Sequence, residues 1–119
     1  MSNYLEIFVV PVPEENIEAY RKQAELFVNV WREHGALSCI EVEADDAPAG
    51  KLTSFPQSVD LKPGETVFVG IATFRSRAHR DEVNAKAMKD PRMAGMDPKS
   101  MPFDARRMFW GGFKPFVAG

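Results

Sequence analysis

The chemistry available to this 119-residue chain rests on a handful of polar residues set among apolar ones. Glu6 interrupts the run Tyr4-Leu5-Glu6-Ile7-Phe8-Val9-Val10 and shares a strand face with Tyr4 and Phe8. A carboxylate in that setting needs a hydrogen bond or a cation. Arg106 or Arg107, on the last strand, could supply one. Two readings are open: an ion pair at the sheet edge or dimer seam, or a polar anchor in an apolar ligand cleft. Alternate residues of 106–112 share the face of Glu6: one parity sets Arg106, Met108 and Trp110 there, the other Arg107 and Phe109, and with the first Tyr4, Glu6, Arg106 and Trp110 line a pocket. In it the carboxylate orients a ligand or accepts a proton, and the aromatic rings supply contact area.

The other reactive residues are dispersed. His34 and His79 are the only histidines and could each act as a base near neutrality. Their plainer uses are a charge at a helix C-terminus for His34 and a solvated first-turn residue for His79. Cys39 is the sole cysteine, so no internal disulfide forms. Glu41 on the same strand face raises its pKa, which marks an inert thiol. Two distant histidines and one cysteine offer no ligand spacing, so no metal is expected, and no cofactor motif appears. Asp45-Asp46 with Lys51 could bind a cation, or simply start a turn. Asp104 with Arg106 and Arg107 could clamp an anion, or form a local ion pair. Gly111-Gly112 is followed by no helix, so it is no phosphate loop and instead permits close backbone approach. Met93, Met96, Met101 and Met108 suit either an adaptable apolar pocket or core filling.

The elements that must position these residues follow from periodicity. Residues 4–10 are a strand with apolar groups on both faces, stopped by Pro11 and Pro13. Residues 14–34 form a helix with the stripe Ile17, Tyr20, Ala24, Phe27, Trp31, closed by Gly35. Trp31 ends that stripe and should pack between helix and sheet. Residues 36–44 are a half-covered edge strand. The stretch 45–65 is long for a plain loop and should hold a short element or a function. Residues 66–74 form a second central strand. Ser76 caps a helix over 77–89, with Ala78, Ala85 and Met88 expected inward. Residues 91–104 are a loop and 106–113 the last strand.

This β-α-β-β-α-β order is the ferredoxin-like plan, an α+β fold with a four-stranded antiparallel sheet. Residues 1–119 make one domain of this kind. Strands 1 and 3 lie in the middle and the helices cover one face. The other face is expected to carry Tyr4, Phe8 and either Trp110 or Phe109, and to pair with a second copy as a homodimer. The expected interface buries about 2,000 Å² or more.

Composition bounds the partners. Net charge is −2 with a pI near 5.7, which lacks the basic footprint of a nucleic-acid binder. No apolar run approaches the roughly 20 residues of a membrane span. Met1-Ser2-Asn3-Tyr4 shows no secretory leader, and Ser2 stands where myristoylation needs glycine. A cytoplasmic location is expected.

Several stretches resemble the DUF1428, or YbaA-like, family of small bacterial proteins. They are FVVPVP at 8–13, EHGAL at 33–37, the DD-x-P-x-GK-x-T-x-F pattern at 45–55, DPRM at 90–93 and MPFDARRMFWGGF at 101–113. The chain departs from the family pattern at Glu43, Ile71, Phe74, Arg75 and Ala105. The resemblance implies the dimeric α/β-barrel superfamily, in which ferredoxin-like domains pair through their sheets. It implies no settled activity. Superfamily relatives include cofactor-free monooxygenases and isomerases, so a binder or cofactor-free enzyme acting on a small apolar molecule is the favoured reading. The alternative is a noncatalytic dimeric regulatory or interaction module.

Overall fold

The structure, a computed structural model, describes residues 3–119. Met1 and Ser2, on which the reading of the N-terminus partly rests, lie outside the described residues. The elements are β1 (Tyr4–Pro13), α1 (Ile17–Glu33), β2 (Ser38–Glu43), α2 (Phe55–Ser58), β3 (Glu65–Phe74), α3 (Arg77–Met88) and β4 (Phe109–Phe113). The sheet runs β2-β3-β1-β4 and every pairing is antiparallel. This is the expected ferredoxin-like order.

β1 runs past the expected stop, with Pro11 opposite Val67 and Pro13 opposite Glu65. The reason lies on its other edge. β4 pairs only with Leu5 to Val9. Beyond Val9, β1 has one neighbour, so a proline whose missing N–H would have pointed away from β3 costs no ladder bond.

Opposed residues of an antiparallel pair share a face, and register therefore assigns both faces. Tyr4, Glu6, Phe8, Val10 and Val12 face the helices, opposite Phe74, Ala72, Gly70, Phe68 and Thr66. Trp110 lies opposite Phe8 on this same side. The edge ring of Phe8 meets Phe27 of α1, with centroids 5.8 Å apart. The expectation that Tyr4 and Phe8 occupy the uncovered face is thus reversed, and of the two alternatives on β4 it is Phe109, not Trp110, that lies there. Glu6 was the clue: its partners lie on α3, and it carries its whole strand face with it. The uncovered face instead presents Leu5, Ile7, Ile71, Ile40, Val42, Phe109 and Phe113. Ile40 is 52% exposed and Phe113 55%.

The long 45–65 stretch does hold a short element. Ser54 caps α2, its Oγ accepting from the Gln57 N–H. Val59 and Leu61 then pack on Val9, Val67 and Val69, covering one end of the open face. Arg107 anchors this segment. Its guanidinium donates to both Glu65 carboxylate oxygens at 2.8 and 2.7 Å, to the Val59 and Asp60 carbonyls, and to Asp104. The Asp104–Arg107 group therefore clamps the protein's own carboxylate, and Arg107 holds Glu65 below the usual carboxylate range. Asp45, Asp46 and Lys51 are all exposed.

Ser76 caps α3 as expected, accepting from the His79 N–H. The inward stripe differs. Ala78, Ala85 and Met88 are exposed, and His79, Arg80, Val83 and Ala87 are buried. Arg80, Val83, Asn84 and Ala87 follow helical spacing, but two of them are polar, so an apolar count misses the stripe. His79 is not solvated. Its Nδ1 accepts from the Arg75 N–H at 2.9 Å, and its ring meets the edge of Phe74. His34, at the end of α1, bonds Asp90 at 2.9 Å and ties the helix to the following loop.

Candidate functional site

Small residues in the middle of β3 make room above the sheet. A Cβ at Gly70 would collide with the Phe8 ring, which lies across that position. Ala72 follows two residues on, with Glu6 on one side and Cys39 on the other. Above this floor, α1 and α3 and the 91–108 segment border an open-sided cavity of about 480 Å³, with Met88 and Trp110 at its exposed rim. That lies within the usual range for small-molecule sites.

Its walls are mostly apolar. Phe27 and Trp31 stack at 4.1 Å between centroids, and Phe8, Phe103 and Trp110 add further rings. Met88, Met93, Met96, Met101 and Met108 all line it. The 91–104 segment is folded by two 3-10 turns, each opened by an aspartate cap, Asp90 and Asp97. Gln23 of α1 reaches across to the Met101 sulfur at 2.8 Å and the Met96 sulfur at 3.5 Å. The sequence offered these methionines either a pocket or the core. They line the cavity, and Met93 also belongs to the core.

Two carboxylates reach the cavity, from opposite sides. Glu6 Oε1 accepts from Arg80 at 2.7 Å and from Asn84 at 3.4 Å. Asn84 Oδ1 in turn accepts from the Trp31 indole at 2.8 Å. Arg80 also lies over the Tyr4 ring, 5.1 Å from its centroid, and bonds Asp81. Glu41, two strands away, accepts from the Tyr20 hydroxyl at 2.6 Å. Burial pushes the Glu41 carboxyl above its ordinary range, and the Tyr20 hydrogen bond works against that shift. Burial and the neighbouring carboxylate push the Tyr20 phenol up as well. Cys39 is half-buried and its thiol is raised to about 11, chiefly by burial, with Glu41 a smaller cause. That suits an inert thiol.

Of the four residues expected to line the pocket, Glu6 and Trp110 do. The strand parity that sets Met108 and Trp110 beside Glu6 is the one observed. Tyr4 sits next to the cavity under Arg80, against Gly112, where a Cβ would strike its ring. Arg106 lies elsewhere. β4 begins only at Phe109, and Arg106 sits in the preceding turn, 91% exposed and bonded to Asp104. The cation for Glu6 is Arg80. The sequence signal for it was the polar member of the α3 stripe. Glu41 and Tyr20 were missed as a pair because their separation, 21 residues, closes only through the fold.

Among the described residues no group of three or more potential ligands could hold a metal ion, and no helix is long and apolar enough to cross a membrane.

Known proteins place the chain. A family model described as a protein of unknown function, DUF1428, matches residues 3–105. The uncharacterized protein YbaA of Escherichia coli K12 is 40% identical over 114 residues, covering 96% of this chain and 97% of YbaA. YbaA of Shigella flexneri matches to the same extent. A solved dimeric ferredoxin-like protein from an uncultured marine organism superposes with a TM-score of 0.58 at 10% identity, covering 100% of this chain and 98% of that one. That likeness is one of fold and agrees with the topology above. By its sequence from end to end, the chain belongs to the DUF1428 family.

Proposed function

We propose that this protein binds a small, largely apolar molecule in the cavity between the sheet and its helices. The observation that carries this reading is the cavity itself: about 480 Å³, walled by aromatic and methionine side chains, with two carboxylates at fixed positions. Few convergent polar groups in an apolar hollow is the usual construction of a ligand site. Methionine walls adapt to ligand shape. Glu6, gripped by Arg80 and Asn84, is built as a fixed anchor.

The neutral fluorophore N-phenyl-1-naphthylamine tests this. It should bind saturably, one per chain, with a rise in emission. Ala24 lines the cavity from α1, so Ala24→Phe fills it. That variant should weaken binding at least tenfold while the far-UV circular dichroism is kept. Binding that survives Ala24→Phe would place the fluorophore on another surface. Absence of binding would favour the noncatalytic module.

The same reading includes a homodimer joined by the uncovered sheet faces. Support comes from the apolar residues on that face, and the solved ferredoxin-like protein of the same fold is dimeric. A contiguous apolar surface of this kind is normally covered. Light scattering should give about twice the chain mass of 13.4 kDa. Ile71→Glu, at the centre of the face, should return a monomer. A monomer mass for the unaltered protein at micromolar concentration would contradict the dimer.

A further inference from the structure

The charge balance of the cavity narrows the occupant. No lysine, arginine or histidine lines it, and two carboxylates do. The two are not equivalent. Glu6 is matched by Arg80 at 2.7 Å. Glu41 has a neutral donor, the Tyr20 hydroxyl, and among the described residues no cation lies within ion-pair distance of it. Arg21 shares with Glu41 the smaller hollow on the far side of Tyr20, but it turns to Glu18 at 3.4 Å. Glu25 and Glu43 line that hollow too and add negative charge.

We infer that the natural ligand is an organic monocation, an amine or quaternary ammonium on an aromatic or branched apolar body, with Glu41 as its counter-charge. The inference rests on the reading of the cavity as a ligand site and adds the sign of the charge. A neutral ligand that covers Glu41 removes its remaining water without replacing it, which is costly for a carboxylate. An anion meets Glu41 and finds no cation in the lining. A cation restores the balance, and the aromatic rings of the lining, with Tyr20 bonded to Glu41 itself, favour positive charge as well. Polarizable methionine sulfurs complete the surround.

The test is a comparison of shape-matched probes. Benzyltrimethylammonium and neopentylbenzene differ in one atom, nitrogen for carbon, and so in charge. Phenylmethanesulfonate supplies the anion. Trp31 and Trp110, the only two tryptophans of the chain, both line the cavity, so intrinsic fluorescence reports occupancy. At about pH 8 the cation should bind roughly tenfold or more tighter than its neutral isostere, and the sulfonate should not bind. In Glu41→Gln the two isosteres should bind within about threefold of each other, with N-phenyl-1-naphthylamine still bound. Equal or tighter binding of neopentylbenzene to the unaltered protein overturns the inference and leaves the ligand site standing. A cation preference that survives Glu41→Gln overturns the role of Glu41. Failure of every probe, N-phenyl-1-naphthylamine included, overturns both. The wild-type comparison needs no variant to fold.

Discussion

Replacing Trp31 with alanine should lower the stability of the fold by about 3–5 kcal/mol, the range for deleting a buried large aromatic. Trp31 is 4% exposed and sits in the core cluster with Val30, Ala72, Phe74 and Val83. It stacks on Phe27 and donates its indole N–H to Asn84. Its removal opens a void and leaves the Asn84 oxygen without that donor, and the two losses add. The urea midpoint should fall by on the order of 2 M. Trp31→Phe keeps most of the ring and loses the hydrogen bond, so its cost should be smaller, about 1–2 kcal/mol. An unchanged midpoint for Trp31→Ala would mean that the indole does not occupy the core.

Arg80→Met should cost a similar amount, about 3–5 kcal/mol, through a different cause. The Glu6 and Arg80 side chains are 15% and 10% exposed. Taking away the guanidinium strands a carboxylate beneath the helices. The methionine replaces much of the arginine stem, so packing over Tyr4 is partly kept. The double variant Glu6→Met with Arg80→Met should therefore recover most of the loss, because no unpaired charge remains. Chemical denaturation of the two singles and the double measures this coupling. A cost below about 1 kcal/mol for Arg80→Met would show the pair to be solvent-screened.

How far the sequence discloses this structure depends on the kind of signal. Long apolar periods were readable: α1 and β3 stand where their patterns put them, β1 does so except for its extension through Pro13, and strand order follows from the β-α-β-β-α-β alternation. The Ser76 cap was readable because one side chain decides it. What was not readable is which face of an amphipathic element turns inward when both faces are apolar. β1 carries Tyr4, Phe8 and Val10 on one face and Leu5, Ile7 and Val9 on the other, and hydrophobicity alone does not choose between them. The fold chooses through Glu6, which needs Arg80, a residue 74 positions away. The inward stripe of α3 was hidden for a related reason, since buried arginine and asparagine count as polar until their partners are known. β2 runs against hydrophobicity alone: Cys39 and Glu41 face the helices, and Ile40 and Val42 face outward. The methionines between 93 and 108 were visible as a group, but their convergence depends on the two 3-10 turns that fold the segment over the cavity.

Methyl NMR tests the ligand site between the sheet and its helices most directly. Five of the six methionines line it: Met88, Met93, Met96, Met101 and Met108. Three isoleucines, Ile7, Ile40 and Ile71, lie on the opposite, uncovered face of the sheet. With both residue types carbon-13 labelled at their terminal methyls, titration with benzyltrimethylammonium or N-phenyl-1-naphthylamine should shift the five methionine signals together along one saturation curve. The signals of Ile7, Ile40 and Ile71 should stay in place. Methionine methyls that do not move, or shifts confined to those isoleucines, would contradict a ligand site between the sheet and its helices.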